Sequence, residues 1–292
     1  MTDKPRRIAI LGTGKMGSAI AGKLAAEGYE LTLWNRSRGR AEKLRLGRVA
    51  AIPAEAVAGV DLAISSLTGP EAVRATYLGP AGALAGGRDL LFVDMSTAGP
   101  DVVVEIGEAA TASGNRLVDA PILGAPPVVR DGKAAVLLGG IDSDVAMAIS
   151  VLGSLGSTRH VGPLGSGARL KLVANSMLAD ILAAAAELQV AGEQAGLDSS
   201  DVFYALERLA PVLGPRRHGF VENRHEPTLF ALRDLLKDLD LAAAMFGQAS
   251  SRTPVTANVR GQFAGLTGEA GDLDVTAVAI PYRRGTPAGA PR

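Results

Sequence analysis

Cysteine is missing from all 292 residues of the chain, which excludes disulfides, thiol nucleophiles, thiolate metal sites and cysteine-held iron–sulfur clusters. A surplus of charge is missing too. Thirty Lys and Arg balance thirty Asp and Glu, so no global field draws the protein to nucleic acid or to an anionic membrane. No stretch reaches the roughly 20 uninterrupted apolar residues that a membrane helix needs. The basic start, Met1 to Leu11, leads into an apolar run too short for a signal-peptide core. These absences predict a soluble cytoplasmic protein whose partners are small molecules and other subunits.

Histidine is scarce, with three in the chain. His218, Glu222 and His225 stand at i, i+4 and i+7, which on a helix would face one way and suit zinc. Gly219 and Asn223 weaken that helix, and a solvated polar face accounts for the same spacing, so no metal is assigned.

What is present is alternation. Apolar runs at Arg7 to Leu11, Glu30 to Trp34, Asp61 to Ser66, Leu90 to Met95, Arg116 to Ala120 and Ala134 to Gly139 are separated by helical patterns. Near-continuous apolar character suits strands covered on both faces, and the alternation predicts a Rossmann-type α/β fold with a doubly wound, mainly parallel sheet. After Gly162-Pro163-Leu164-Gly165 the period turns helical, near 168–195, 199–209, 231–249 and 253–267. The expected division is 1–164 for a nucleotide-binding domain and 165–282 for an all-helical domain, with 283–292, rich in Pro, Gly and Arg, as a disordered tail.

The first strand runs directly into Gly12-Thr13-Gly14-Lys15-Met16-Gly17, which opens a helix expected over Ser18 to Glu27. A glycine triplet alone is weak, and a plain strand-to-helix turn is the bland reading. Strand, triplet and helix together make the dinucleotide fingerprint. Gly12 permits the tight turn, Gly14 lets backbone approach a pyrophosphate, and Gly17 lets helix and strand pack closely. The helix N-terminus supplies N–H groups and positive dipole to the phosphates. Chains that bind NAD place an acid at the end of the second strand; here Leu31-Thr32-Leu33-Trp34 runs into Asn35-Arg36-Ser37-Arg38. A guanidinium at Arg36 can fork onto a 2′-phosphate that an acid would repel, so NADP(H) is expected over NAD(H). Arg38 and Arg40 read as exposed helix charge.

Lys171 and Asn175 lie one helical turn apart in a segment, Leu170 to Ala186, whose only charges are Lys171 and Asp180. The segment reads as apolar around most of its circumference and buried. A buried ammonium loses stability or shifts its pKa, which suits a proton donor near neutrality, and Asn175 on the same face can bond whatever Lys171 protonates. A lysine near a helix start that snorkels its head to water is the other reading.

Taken in order, these motifs resemble the β-hydroxyacid dehydrogenase family, which includes 3-hydroxyisobutyrate dehydrogenases, tartronate semialdehyde reductases and glyoxylate or succinic semialdehyde reductases. The resemblance runs from Arg7 to Tyr282. It covers Gly12 to Gly17, with methionine before the last glycine, and the Asn35-Arg36-Ser37 step. It implies a cofactor-flanking turn at Ser66-Leu67-Thr68 and, in Met95-Ser96-Thr97, a motif beside the nicotinamide that places Thr97 there. It implies Lys171 as general acid/base, Asn175 as its substrate-orienting neighbour, Lys237 near the cofactor, and Phe230 and Asp238 at the substrate site. Thr13, Lys15, Met16, Leu67 and Thr68 are carried over as cofactor contacts.

One departure concerns the substrate. After Asp119-Ala120-Pro121 the family places a Ser-Gly-Gly turn that receives a carboxylate; here Leu123-Gly124-Ala125 occupies it. Leucine donates nothing, although backbone N–H groups of Gly124 and Ala125 can still hold an anion. A more apolar carbonyl substrate is therefore admitted. The expected reaction is hydride transfer between NADP(H), lying along the C-terminal edge of the sheet with its nicotinamide in the crevice between domains, and a small carbonyl or hydroxy acid. Two alternatives stand: an imine reductase, and a non-catalytic NADPH-binding module used for protein interaction. The apolar central helix predicts a homodimer or homotetramer.

Overall fold

Six parallel strands form the framework that places the predicted cofactor motifs of the N-terminal half. The computed structural model describes Pro5 to Arg284. In chain order the first half runs β1 (Arg7–Leu11), α1 (Lys15–Ala26), β2 (Glu30–Trp34), α2 (Arg38–Glu42), β3 (Gly47–Val49), α3 (Pro53–Val57), β4 (Leu62–Ser65), α4 (Gly69–Leu78), β5 (Leu91–Asp94) and α5 (Pro100–Ala112). It continues through β6 (Arg116–Asp119), β7 (Ile122–Leu123), α6 (Pro126–Arg130), β8 (Ala134–Gly139), α7 (Asp142–Leu152) and β9 (Gly156–Gly162). The sheet order is β3-β2-β1-β4-β5-β6-β8-β7, with β9 also paired to β8. From β3 to β6 every pairing is parallel; β8 then runs antiparallel to β6 and β7. The order reverses between β1 and β4, the switch point where doubly wound sheets bind ligands at the C-terminal strand ends.

Period-two alternation divides the apolar residues between the two faces. Ile8, Ile10, Leu31, Leu33, Ile64 and Val93 pack with α1 and α7 residues such as Ile20, Leu24, Val145 and Leu152. Ala9, Leu11, Ala63 and Phe92 pack with Val73, Tyr77, Val102 and Ile106 from α4 and α5. Each fully buried Leu or Ile contributes roughly 1.5–3 kcal/mol, and both faces are lined with them.

Three strands lie outside the apolar runs. β3 has three residues at the sheet edge, β7 has two, and β9 (GSTRHVG) has no alternation and leans on its pairing with β8. The first helix begins at Lys15, three residues before the expected Ser18, because Gly14 already serves as its N-cap.

The second half comprises α8 (Ser166–Gln194), α9 (Ser199–Leu209), α10 (Arg217–Phe220), α11 (Leu232–Gln248), α12 (Pro254–Ala270) and α13 (Ile280–Arg284), with 3₁₀ turns at Pro211–Arg216 and Val275–Ala279. The chain divides into two compact units at Leu172/Val173, so α8 starts in the first and continues in the second. The second unit has its own core: Ala179, Leu182, Ala186, Phe203, Phe220, Leu235, Leu239 and Phe263. By length and composition α8 could cross a bilayer, but half of its most apolar window is buried within the protein.

The expectation that α8 is buried around most of its circumference is corrected here. Leu172, Ala179, Leu182 and Ala186 form a buried stripe, while Leu170, Val173, Met177 and Leu188 are exposed. The expected tail also starts too early. Arg283 lies in α13 and donates from Nη1 to Glu193 Oε2 at 2.7 Å and from Nη2 to the Phe220 carbonyl; positions 285–292 lie outside the described residues.

Candidate active site

The glycine turn after β1 is fixed by sterics. Gly12 has φ +98°, and a Cβ there would overlap the Ser66 carbonyl oxygen; a Cβ on Gly17 would overlap the Gly12 carbonyl. Gly14 differs: nothing lies within 4 Å of where its Cβ would be. Two glycines therefore close the turn, and the third leaves its outer side open. The first turn of α1 contains no acid and its N-cap provides no side-chain acceptor, which leaves the positive helix end for a ligand anion.

Asn35 ties this turn to the end of β2. Its Oδ1 accepts from Thr13 N at 3.0 Å and its Nδ2 donates to the Ser37 carbonyl at 3.1 Å. Thr13 is buried, and its Oγ1 has no hydrogen-bond partner. Buried hydroxyls are rarely left so; together with the open side of Gly14, this orphan fits a bound dinucleotide. Arg36 and Ser37 are exposed, and no carboxylate pairs with Arg36 among the described residues, whereas Arg38 is paired with Glu42 at 2.7 Å. Lys15 is exposed and Met16 half-buried against the sheet core.

Under the next two loops lies a buried network that sequence reasoning missed. Ser65 Oγ and Ser96 Oγ each donate to Asp94 Oδ1 at 2.6 Å, and Leu67 N donates to Ser96 Oγ at 2.9 Å. With the Ser65 proton directed to Asp94, the Tyr77 hydroxyl donates to Ser65 Oγ across 2.7 Å. Asp94 thus fastens the loops that carry Leu67, Thr68 and Thr97. Burial pushes its carboxyl above the usual range, and burial together with Asp94 pushes the Tyr77 phenol up. The available signal was an acid closing the apolar run Leu91-Phe92-Val93.

Lys171 is half-buried, and its Nζ donates to the Ile122 carbonyl at 2.7 Å. That places the amine beside the turn Leu123-Gly124-Ala125, where Leu123 and Ala125 are half-buried and Gly124, at φ +148°, is exposed. The helix that follows the turn, α6, opens with Pro126 and Pro127. Proline has no N–H, and the next two donors, Val128 N and Val129 N, both bond the Ala125 carbonyl. Beyond Gly124 and Ala125 themselves, this helix end offers no backbone donor to an anion.

The remaining candidates gather in the second unit. Asn175 Nδ2 donates to Asp238 Oδ2 at 2.6 Å, and Lys237 Nζ donates to Asp238 Oδ1 at 2.5 Å. Asp238 is 2% exposed, so this buried carboxylate is held by one charged and one neutral donor, the arrangement burial requires. Phe230 is half-buried, and its N–H donates to Asp274 Oδ2 at 3.1 Å. Lys171 and Asn175 keep their one-turn spacing along the continuous α8. His218, Glu222 and His225 do not share a helix face: α10 ends at Phe220, and the His225 ring nitrogens lie 3.0 Å from Thr276 Oγ1 and 3.1 Å from Asn223 Oδ1.

Comparison with known proteins bears on the family and the fold. Residues 7–163 match the family described as the NAD-binding domain of 6-phosphogluconate dehydrogenase, and 165–282 match the NAD-binding domain of NADP-dependent 3-hydroxyisobutyrate dehydrogenase. The mouse (Mus musculus) cytokine-like nuclear factor N-PAC is 30% identical over 262 residues, covering 88% of this chain and 47% of that protein. The chain thus spans about half the length of these relatives. Glyoxylate/succinic semialdehyde reductase 1 of Arabidopsis thaliana is 29% identical over 293 residues, covering 95% of this chain and 99% of that one. The solved structure of Mycobacterium tuberculosis 3-hydroxyisobutyrate dehydrogenase with L-serine is 27% identical, with TM-score 0.83 and coverage of 95% of this chain and 99% of that one. A Rossmann sheet with a fingerprint turn, followed by an all-helical unit and matched along almost its whole length, places this chain in the NAD(P)-dependent β-hydroxyacid dehydrogenase family.

Proposed function

We propose that the chain is an NADP(H)-dependent oxidoreductase that interconverts a small carbonyl compound and its alcohol, with Lys171 as general acid/base. The observation that carries the reading is the Lys171 amine, hydrogen-bonded to the Ile122 carbonyl at 2.7 Å beside an apolar turn. The backbone carbonyl accepts one of the ammonium protons and orients the group. Lys171 can therefore give its proton to a substrate carbonyl oxygen in reduction, recover it in oxidation, and stabilise the alkoxide in between. When bound, NADPH supplies the hydride. The Gly12–Gly17 turn and Thr13 hold its pyrophosphate, Arg36 and Ser37 take the 2′-phosphate, and Leu67, Thr68, Thr97 and Lys237 keep the flanking roles that the family resemblance gives them. Asn175, one turn along α8, orients substrate with its amide fixed by Asp238.

The substrate class follows from the turn. Leu123 in place of a hydroxyl donor, backed by Pro126 and Pro127, favours aldehydes and ketones with weak dependence on a carboxylate. The same apolar turn favours, as a second reading, reduction of cyclic imines. A panel of glyoxylate, succinic semialdehyde, unsubstituted aldehydes and cyclic imines, each with NADPH and NADH, tests both. Turnover of carbonyls with NADPH supports the first reading, and turnover of imines alone selects the second. Tight NADPH binding with no turnover of any compound makes the chain an interaction module. The exposed stripe Leu170, Val173, Met177 and Leu188 is assigned to contact with a second copy of the chain, and light scattering reads the resulting mass.

A further inference from the structure

Asp119 closes β6 and is 1% exposed. It opens the Asp119-Ala120-Pro121 step before the substrate turn without a role of its own so far, yet an isolated buried carboxylate costs several kcal/mol unless its oxygens are satisfied. Both are satisfied by one element: Oδ1 accepts from Gly165 N and Oδ2 from Ala168 N, each at 2.7 Å. These donors belong to the start of α8, where an anion also meets the positive end of the helix dipole. Lys171 follows Ala168 by three residues, and its Nζ returns to Ile122, three residues beyond Asp119. The segment 119–122 therefore grips the start of α8 twice, by a carboxylate on the backbone and by a carbonyl on the lysine.

The surroundings are cut to this carboxylate. A Cβ on Gly139 would overlap Asp119 Oδ1, and one on Gly167 would lie 2.7 Å from Oδ2 and 2.6 Å from the Leu137 carbonyl. Pro121, where β6 breaks before β7, packs against the same glycine.

We infer that Asp119 is the positioning residue for Lys171, setting where the amine stands relative to the turn at Ile122 by fastening the first turn of α8 to the end of β6. The inference rests on the proposed role of Lys171. Asn is the informative substitution because it keeps the volume but turns an NH₂ toward one of the two N–H donors.

The test pairs a substrate-free readout with kinetics. Lys171 labelling by trinitrobenzenesulfonate, mapped by mass spectrometry against the exposed Lys15, should speed up at least about fivefold in Asp119→Asn. NADPH oxidation with the fastest compound of the panel should slow about 10- to 100-fold, as misplacement of a reacting group does, with NADPH affinity changed less than about twofold. In a Lys171→Ala background the same Asp119→Asn change should cost less than about twofold, because the group it positions is gone. Gly167→Ala, which crowds the clamp while keeping the carboxylate, should give the same labelling and kinetic pattern and replaces Asp119→Asn if that variant fails to fold. Unchanged Lys171 labelling, or equal slowing with and without Lys171, would overturn the positioning role. A Lys171→Ala enzyme as fast as the parent would instead remove the acid/base reading on which the inference rests.

Discussion

Two strand–turn–helix units in the first half of the molecule follow the same order of elements and differ in the donors they leave to an anion. After β1 the chain turns through Gly12 and Gly14 into a helix with no acid in its first turn. After β7 it turns through Gly124 and Ala125 into a helix whose first two positions are Pro126 and Pro127. The first unit presents backbone donors beside an open cradle at Gly14. The second has prolines at its first two helical positions and Leu123 at the start of its turn, which leaves the N–H groups of Gly124 and Ala125 as its backbone donors. An N-terminal helix end binds an anion only where the residues leave its N–H groups present and reachable, and the lysine amine sits at the unit with fewer of them.

That contrast can be broken or sharpened experimentally. The largest effect is expected at the first turn: Gly12→Ala, forced into φ +98° against the Ser66 carbonyl, should abolish NADPH binding or folding. Gly14→Ala should fold normally and weaken NADPH by about tenfold, since its side is open for a phosphate rather than packed. Isothermal titration with a thermal melt separates the two.

Next in size is the acid that stands just before the second turn. Burial lifts the Asp119 carboxyl from the ordinary aspartate value of 3.8 to about 6, with Asp94 on the adjacent strand adding to the rise. The folded chain then binds this proton more tightly than the unfolded chain. The contribution is fully present below pH ~4 and is lost as pH rises through ~6, by on the order of 3 kcal/mol. Denaturant midpoints of the wild type minus those of Asp119→Asn should fall across that window, and a flat difference would refute the assignment.

Restoring donors to the second turn should reverse its preference. Leu123→Ser combined with Pro126→Gly and Pro127→Gly should raise the kcat/KM ratio of succinic semialdehyde to an unsubstituted aldehyde by about 10- to 30-fold, the worth of one hydrogen bond to a charged group. The smallest effect belongs to Arg36→Ala, which should weaken NADPH by about fivefold and leave NADH within about twofold.

How much of this was legible depended on how local the cause is. Gly12 and Gly17 could be read from sequence because their constraint arises within one turn. The six apolar strands could be read because burial on both faces leaves a continuous run. β9 could not, since Gly156–Gly162 is held by β8 and not by any pattern of its own. Asp94 and Asp119 resemble polar strand ends; their partners lie in a neighbouring strand, in loops and in a helix up to 49 positions away. The exposed side of α8 was missed because Leu170, Val173 and Met177 have the same chemistry as the buried Leu172 and Leu182. Arg283 was assigned to the tail by the composition of its neighbours, while its Glu193 partner lies 90 positions earlier.

The central claim concerns the amine at the donor-poor turn, and single-turnover hydride transfer in Lys171→Ala measures it most directly. The account predicts a rate at least about 10³-fold below the parent, at the upper range of what general acid–base catalysis contributes together with charge stabilisation, with NADPH affinity within about twofold. A rate equal to the parent's at unchanged NADPH affinity would contradict it.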